Sequence, residues 1–291
     1  MSNDIVSAPP VGGFQEIDGR RIFAHRSGSG GPAVVFLPGA SAVGLDYFGV
    51  QQEVSRFTTA VVYDRGGTGY SDFLPLPRTA AAVATELHDL LRAQNITGPY
   101  VLAAHSLGAF YAYRFAQLYP GEVAGLVWLD GLHRDWDEFM PPAASLAEAE
   151  RLAPDVTQLV HMHPAIREMS EELYADYPEP VRQALIEAKV SEEWLRVGVG
   201  ERTGLADLAA ELRDGPSLPD VPVVALSVLG NDAAEQERHD GRTRMDAALV
   251  AEVSHGEQRL ITDTFHHRLC FDRPDAVVQA IRDVLDRAAD H

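Results

Sequence analysis

Ser106 stands where an apolar run, Pro99-Tyr100-Val101-Leu102-Ala103-Ala104-His105, gives way to a helical pattern beginning Leu107-Gly108-Ala109-Phe110. A strand that turns at a serine directly into a helix holds that serine in a strained backbone conformation. Its Oγ is then exposed at the carboxyl edge of a sheet, and residues 104 and 108 must be small for strand and helix to approach. Ala104 and Gly108 meet that demand, so the segment reads as a nucleophile elbow and points to acyl chemistry on Ser106. The same residues also describe a helix N-cap serine after a strand. What separates the two readings is whether the rest of the chain supplies a base, an acid and an oxyanion site.

A serine hydroxyl needs a base to take its proton, and histidine suits the task because its unperturbed pKa lies near neutrality. The chain has eleven histidines. A carboxylate must hold the imidazole's other nitrogen, and two aspartates follow apolar runs: Asp130, after Gly125-Leu126-Val127-Trp128-Leu129, and Asp232, in Leu229-Gly230-Asn231-Asp232. His161 and His163 form an isolated pair without cysteine or carboxylate partners at zinc-site spacing, so no metal is expected. Gly28-Ser29-Gly30-Gly31 lacks the ending of a phosphate-binding loop, and Gly66 to Gly69 is not a dinucleotide fingerprint. Both read as turns, and no cofactor is expected. Cys270, the single cysteine, lies between Leu269 and Phe271 and reads as a packed thiol.

The elements that must position these groups alternate along the chain. Residues 15–24 read as a hairpin around Asp18-Gly19, a pair that supplies the positive φ angles of a two-residue loop. Short apolar runs at 33–37, 60–63, 100–104, 126–129, 221–227 and 258–261 read as buried strands of a sheet covered on both faces. Amphipathic helices lie between them. Over 79–94, for example, Ala82, Val83, Leu87, Leu90 and Leu91 fall at helical spacing. The expected class is α/β, with a mostly parallel central sheet flanked by helices.

After Asp130 the rhythm breaks, and about 85 residues pass before the next strand. This stretch is helical and acidic: 19 Asp or Glu against 7 Lys or Arg between Asp135 and Asp220, in a chain of net charge −19. It reads as an inserted helical cap, residues 135–218, on a core made of 1–134 and 219–291. Leu159, Val160, Met162, Ile166, Met169, Leu173 and Tyr174 either line a pocket for a hydrophobic small molecule or form the cap's own core. The acidic field favours neutral or cationic substrates. The overall charge argues against nucleic acid and anionic membranes as partners. No apolar run is long enough to span a bilayer, the first residues lack a signal-peptide pattern, and the expectation is a cytoplasmic protein.

Leu37-Pro38-Gly39-Ala40 after an early strand, Asp64-Arg65-Gly66-Gly67-Thr68-Gly69-Tyr70-Ser71 after the next, and the elbow on the third parallel strand together resemble the α/β-hydrolase fold serine hydrolases, esterase-like, with a helical cap after the sixth strand. Nearly the whole chain is covered. Pro38 stands where a histidine often precedes the glycine, and Ala104 replaces the first elbow glycine; neither change removes a reacting group. The resemblance implies a Ser-His-Asp triad and a carboxylesterase-like hydrolase acting on an ester, thioester or lactone. A carbon–carbon hydrolase, aminopeptidase, perhydrolase, thioesterase or non-catalytic ligand receptor is an alternative use of the same fold. It places the base at His267, seven residues before the helix-starting Pro274, with the adjacent His266 as alternative. It expects the side chain of His105 to face away from the nucleophile. The triad acid is Asp130 by resemblance to a branch that carries it on the sixth strand, with Asp232 as alternative. The oxyanion donors are the backbone N–H groups of Ala40 and Leu107. Serine as nucleophile disfavours the dehalogenase and epoxide hydrolase branches.

Overall fold

A computed structural model describes residues 8–230 and 235–290. The chain opens with the hairpin its turn chemistry predicts. Strands β1 (Gly13–Ile17) and β2 (Arg20–Ser27) pair antiparallel, with Ile17 opposite Arg20. The turn residues Asp18 and Gly19 have φ of 49° and 74°, matching the twist of the flanking strands. Then follow β3 (Val34–Leu37), α1 (Phe48–Val54), β4 (Ala60–Tyr63), α2 (Ala80–Ala93), β5 (Tyr100–His105), α3 (Gly108–Leu118) and β6 (Val123–Leu129).

Between β6 and the next strand the described chain is helical, through α4 (Trp136–Phe139), α5 (Leu146–Arg151), α6 (Val156–His161), α7 (His163–Leu173), α8 (Glu179–Lys189), α9 (Glu192–Gly200) and α10 (Leu205–Arg213). The remainder is β7 (Val223–Val228), α11 (Gln236–Ala251), β8 (Gly256–Ile261), α12 (Leu269–Asp272) and α13 (Pro274–Ala289). The eight strands form one sheet in the order β1-β2-β4-β3-β5-β6-β7-β8, parallel from β4 through β8. This is the α/β architecture that the strand and helix signals predict.

Alternation along the central strands divides the core in two. Val35, Leu37, Leu102, Ala104, Leu126 and Trp128 face one cluster, which α2, α3, α10 and α11 cover. Val34, Phe36, Val101, Ala103, Val127 and Leu129 face the other, covered by α1 and α13. Both faces are apolar because parallel strands are sandwiched between helices. Helix α2 begins at Thr79, whose side chain accepts the Ala82 N–H, and Glu211 accepts the Ala80 and Ala81 N–H groups at 2.8 Å each. The orphan donors of its first turn are thereby satisfied from α10.

One strand departs from expectation. β8 is not buried: it is the sheet edge, Leu260 is exposed, and Arg259 pairs with Glu257 and Asp283. Charged side chains on an edge discourage pairing with another chain. Among the described residues no helix is long and apolar enough to cross a membrane.

Candidate active site

Strand β5 delivers Ser106 at its carboxyl end with φ of +50°, and α3 starts two residues later. A non-glycine residue in the left-handed region is strained unless its surroundings over-determine it. Here they do. A Cβ on Gly108 would lie 2.1 Å from the Leu37 carbonyl oxygen, so only glycine lets α3 pass this close to β3. The Ser106 carbonyl accepts from the N–H groups of Ala109 and Leu132 at 3.0 Å each.

Asp130 sits at the end of the neighbouring strand β6, is 2% exposed and shares the unusual backbone, φ +48°. Its Oδ1 accepts from the Val228 N–H at 3.0 Å and faces Arg242 Nε at 3.4 Å; its Oδ2 meets His266 Nδ1. Burial alone would raise its pKa, but the Arg242 guanidinium, His266 and the Val228 N–H outweigh it. They hold the carboxyl well below the usual range. The other candidate acid, Asp232, lies outside the described residues.

The imidazole that reaches Asp130 is therefore His266 and not the expected His267. Both lie in a short 3-10 turn, His266–Arg268, and both line the cavity above Ser106. Adjacent side chains on so tight a turn diverge, and only one can meet the carboxylate. His267 is exposed, yet desolvation at the cavity wall together with the neighbouring His266 and Arg268 charges lowers its pKa. Among the described residues no hydrogen bond joins Ser106 Oγ to either histidine.

His105, expected to face away from the nucleophile, lies against the site. Its ring stacks on His266 with centroids 4.7 Å apart, its Nε2 donates to the His266 carbonyl at 3.1 Å, and its Nδ1 accepts from Tyr47 Oη at 2.8 Å. Tyr47 Oη in turn accepts the Gly39 N–H at 3.2 Å. A continuous set of hydrogen bonds thus links the loop after β3 to the turn carrying His266. Burial lowers the His105 pKa to about 3, so the ring is neutral, as this donor and acceptor pattern requires.

The loop after β3 packs onto the elbow: a Cβ on Gly39 would meet His105 Nδ1 and Ser106 Cβ, both at 3.1 Å. Among the described residues the N–H groups of Ala40 and Leu107 have no hydrogen-bond partner, and both residues line the cavity. The loop is clamped from behind by residues that sequence reading did not single out. Arg65 donates to the carbonyls of Pro38 and Gly39 and pairs with Glu201, whose other oxygen accepts the Ser41 N–H at 2.8 Å. Arg65 and Glu201 are each 2% exposed at the side chain. A signal existed for Arg65, which with Asp64 is one of two charged residues between an apolar strand and a glycine run. Glu201 had none, being one acid among many in a helical stretch.

The cavity measures about 770 Å³. Of the apolar residues picked out in the helical stretch, Leu159, Ile166, Met169, Leu173 and Tyr174 line it; Val160 and Met162 do not. Cys270 is also at the wall, and burial pushes its thiol up to about 12, which leaves it un-ionised and inert. Among the described residues no cluster of three or more potential metal ligands occurs.

Residues 34–280 match the model of the alpha/beta hydrolase family. The chain belongs to that family. Among curated proteins, it is 33% identical over 103 residues to a putative carbamate hydrolase of Cronobacter turicensis, covering 35% of this chain and 38% of that protein. It is 28% identical over 117 residues to an uncharacterized protein of Bacillus subtilis, covering 40% and 36%. The aligned part thus spans well under half the length of these relatives. Among solved structures of the fold, Cfl2 of Burkholderia cenocepacia superposes with a TM-score of 0.71 at 23% identity, over 93% of this chain and 94% of that one. A thermophilic esterase of Thermogutta terrifontis gives 0.61 at 21%, over 95% and 97%. A putative epoxide hydrolase of Pseudomonas aeruginosa gives 0.70 at 20%, over 95% of each. These likenesses extend the family's fold over nearly all of the chain.

Proposed function

We propose that this alpha/beta hydrolase cleaves an ester or related acyl substrate through Ser106, His266 and Asp130. The observation that carries the reading is the Asp130–His266 pair at the wall of the cavity into which Ser106 opens. With Nδ1–H donated to an ionised, buried carboxylate, the ring is held in the tautomer whose Nε2 is free to accept a proton. Substrate binding brings Nε2 and Ser106 Oγ into hydrogen-bond distance, as catalytic hydrogen bonds often form fully only in the loaded site.

Ser106 Oγ attacks the carbonyl carbon while its proton passes to His266 Nε2. The oxyanion is received by the N–H groups of Ala40 and Leu107, the latter at the positive end of α3. Collapse of the tetrahedral intermediate breaks the bond to the leaving group, which takes the proton from the imidazolium. Water, deprotonated by His266, then releases the acid and restores Ser106. Residues 135–218 act as a cap over a core of 1–134 and 219–291, and the apolar cavity wall receives the hydrophobic part of a small-molecule substrate.

Hydrolysis of short p-nitrophenyl esters tests the reading. The native chain turns them over, and Ser106→Ala lowers kcat by about a thousandfold or more. Turnover that survives Ser106→Ala overturns it.

A further inference from the structure

Five charged side chains converge on the loop that carries Ala40, and four of them pair off. Arg65 pairs with Glu201, and Lys189 with Asp46 at 2.7 Å. The fifth, Arg202, has no carboxylate partner among the described residues. Its Nη1 donates to two neutral oxygens, Ser41 Oγ and the Gly198 carbonyl at 2.6 Å. The carboxylate nearest in sequence, Glu201, is occupied on both oxygens by Arg65 and the Ser41 N–H.

Arg202 is mostly buried yet lines the cavity. Burial pulls its pKa down, with the Glu201 charge opposing, but a guanidinium so basic stays charged at neutral pH. Its position is built. Ser41, to which it is bound, holds φ +61°, and a Cβ on Gly198 would come 2.0 Å from Ser41 Oγ, so α9 packs onto the loop at the one residue that leaves room. A largely desolvated cation with planar donors left over, in a wall whose other charged side chains are paired, Lys189 with Asp46 and Arg238 with Glu235, is what a carboxylate of a ligand would complete.

We propose that Arg202 binds an anionic group of the substrate, a carboxylate, a few bonds from the scissile carbonyl. The substrates are then esters that also carry a free carboxylate, not the neutral or cationic ones that the acidic composition of residues 135–220 suggests. This deepens the hydrolase reading and rests on it for where the carbonyl sits. Ser41 is bonded to Arg202 and follows Ala40 directly; successive Cα atoms are about 3.8 Å apart, which is why the spacer is short.

Calorimetric titration of the Ser106→Ala protein tests it without turnover. Monomethyl glutarate places the carboxylate on the acyl side and 3-acetoxypropionate on the alcohol side; dimethyl glutarate and methyl 3-acetoxypropionate are their neutral partners. At least one charged ester binds tenfold or more tightly than its neutral partner. That ratio falls to near one when Arg202→Gln is added and is partly kept by Arg202→Lys. Because the ratio is taken within each variant, general damage to the loop cancels. Equal binding of both pairs, or a preference that survives Arg202→Gln, overturns the proposal. Turnover of p-nitrophenyl butyrate by the native chain separates the two readings. Turnover without a charge preference removes Arg202's role and keeps the hydrolase, whereas a charge preference without turnover or serine labelling keeps the anion site and removes the hydrolase.

Discussion

His266 Nδ1 donates to Asp130 Oδ2 across 136 positions of sequence, while His267, one residue further on, makes no such contact. If that pair activates Ser106, His266→Ala lowers kcat on p-nitrophenyl acetate by about a thousandfold or more, and His267→Ala by less than tenfold. Steady-state kinetics of the two variants measure this directly. The reverse ranking would return the base to His267.

Asp130→Asn preserves shape but presents the wrong hydrogen-bond sense to His266 Nδ1, which lets the ring adopt the other tautomer. The expected cost is about 10³- to 10⁴-fold in kcat. Asp232→Asn is expected to leave kcat within tenfold. Comparing the two by kinetics decides between the carboxylates that the strand ends offered.

The Arg65–Glu201 pair is buried on both sides, so removing one partner strands the other's charge. Glu201→Gln is expected to destabilise the fold by about 3–5 kcal/mol. The double variant Arg65→Met/Glu201→Gln should lose less than the sum of the singles. Urea denaturation of the four proteins forms the cycle, and strict additivity would mean that the pair does not couple.

His105 predicts a pH dependence of stability. A free imidazole titrates near 6.5, whereas the buried ring titrates at about 3. Between those values the unfolded chain holds a proton that the folded chain lacks, so this group's contribution to stability rises with pH and is lost as the pH falls below 6.5. The slope is at most about 1.4 kcal/mol per pH unit. His133, which burial lowers to about 4, acts in the same sense. Asp64 and Asp246, raised by burial to about 7, act in the opposite one from their ordinary 3.8 upward. The whole-chain curve is therefore flattened, and the His105 share is read as a difference. The stability of His105→Gln relative to native should increase steadily from pH 7 to pH 4 in denaturant titrations. A constant difference would mean that His105 is protonated in the folded chain.

What was legible in the sequence was what local pattern encodes. The Asp18-Gly19 turn, the apolar strands, the amphipathic α2 and the strained Ser106 elbow are each set by a few neighbouring residues. Asp130 was legible as a carboxylate at a strand end. The choice between His266 and His267 was not, because adjacent residues on a 3-10 turn have equivalent spacing and their directions depend on packing against His105. Glu201 reaches Arg65 from 136 positions away, a distance no periodicity reports. Net charge is equally uninformative about the site, because acids such as Glu171, Glu192 and Glu193 face solvent, whereas Asp46 at the cavity wall is paired with Lys189.

Intact mass after incubation with a fluorophosphonate tests the central claim most directly, because the probe reacts only with a serine whose proton has been drawn away. The native chain and His267→Ala should gain one adduct per chain, and Ser106→Ala and His266→Ala none on the same timescale. An unlabelled native chain, or an adduct that persists in Ser106→Ala, would contradict an activated Ser106.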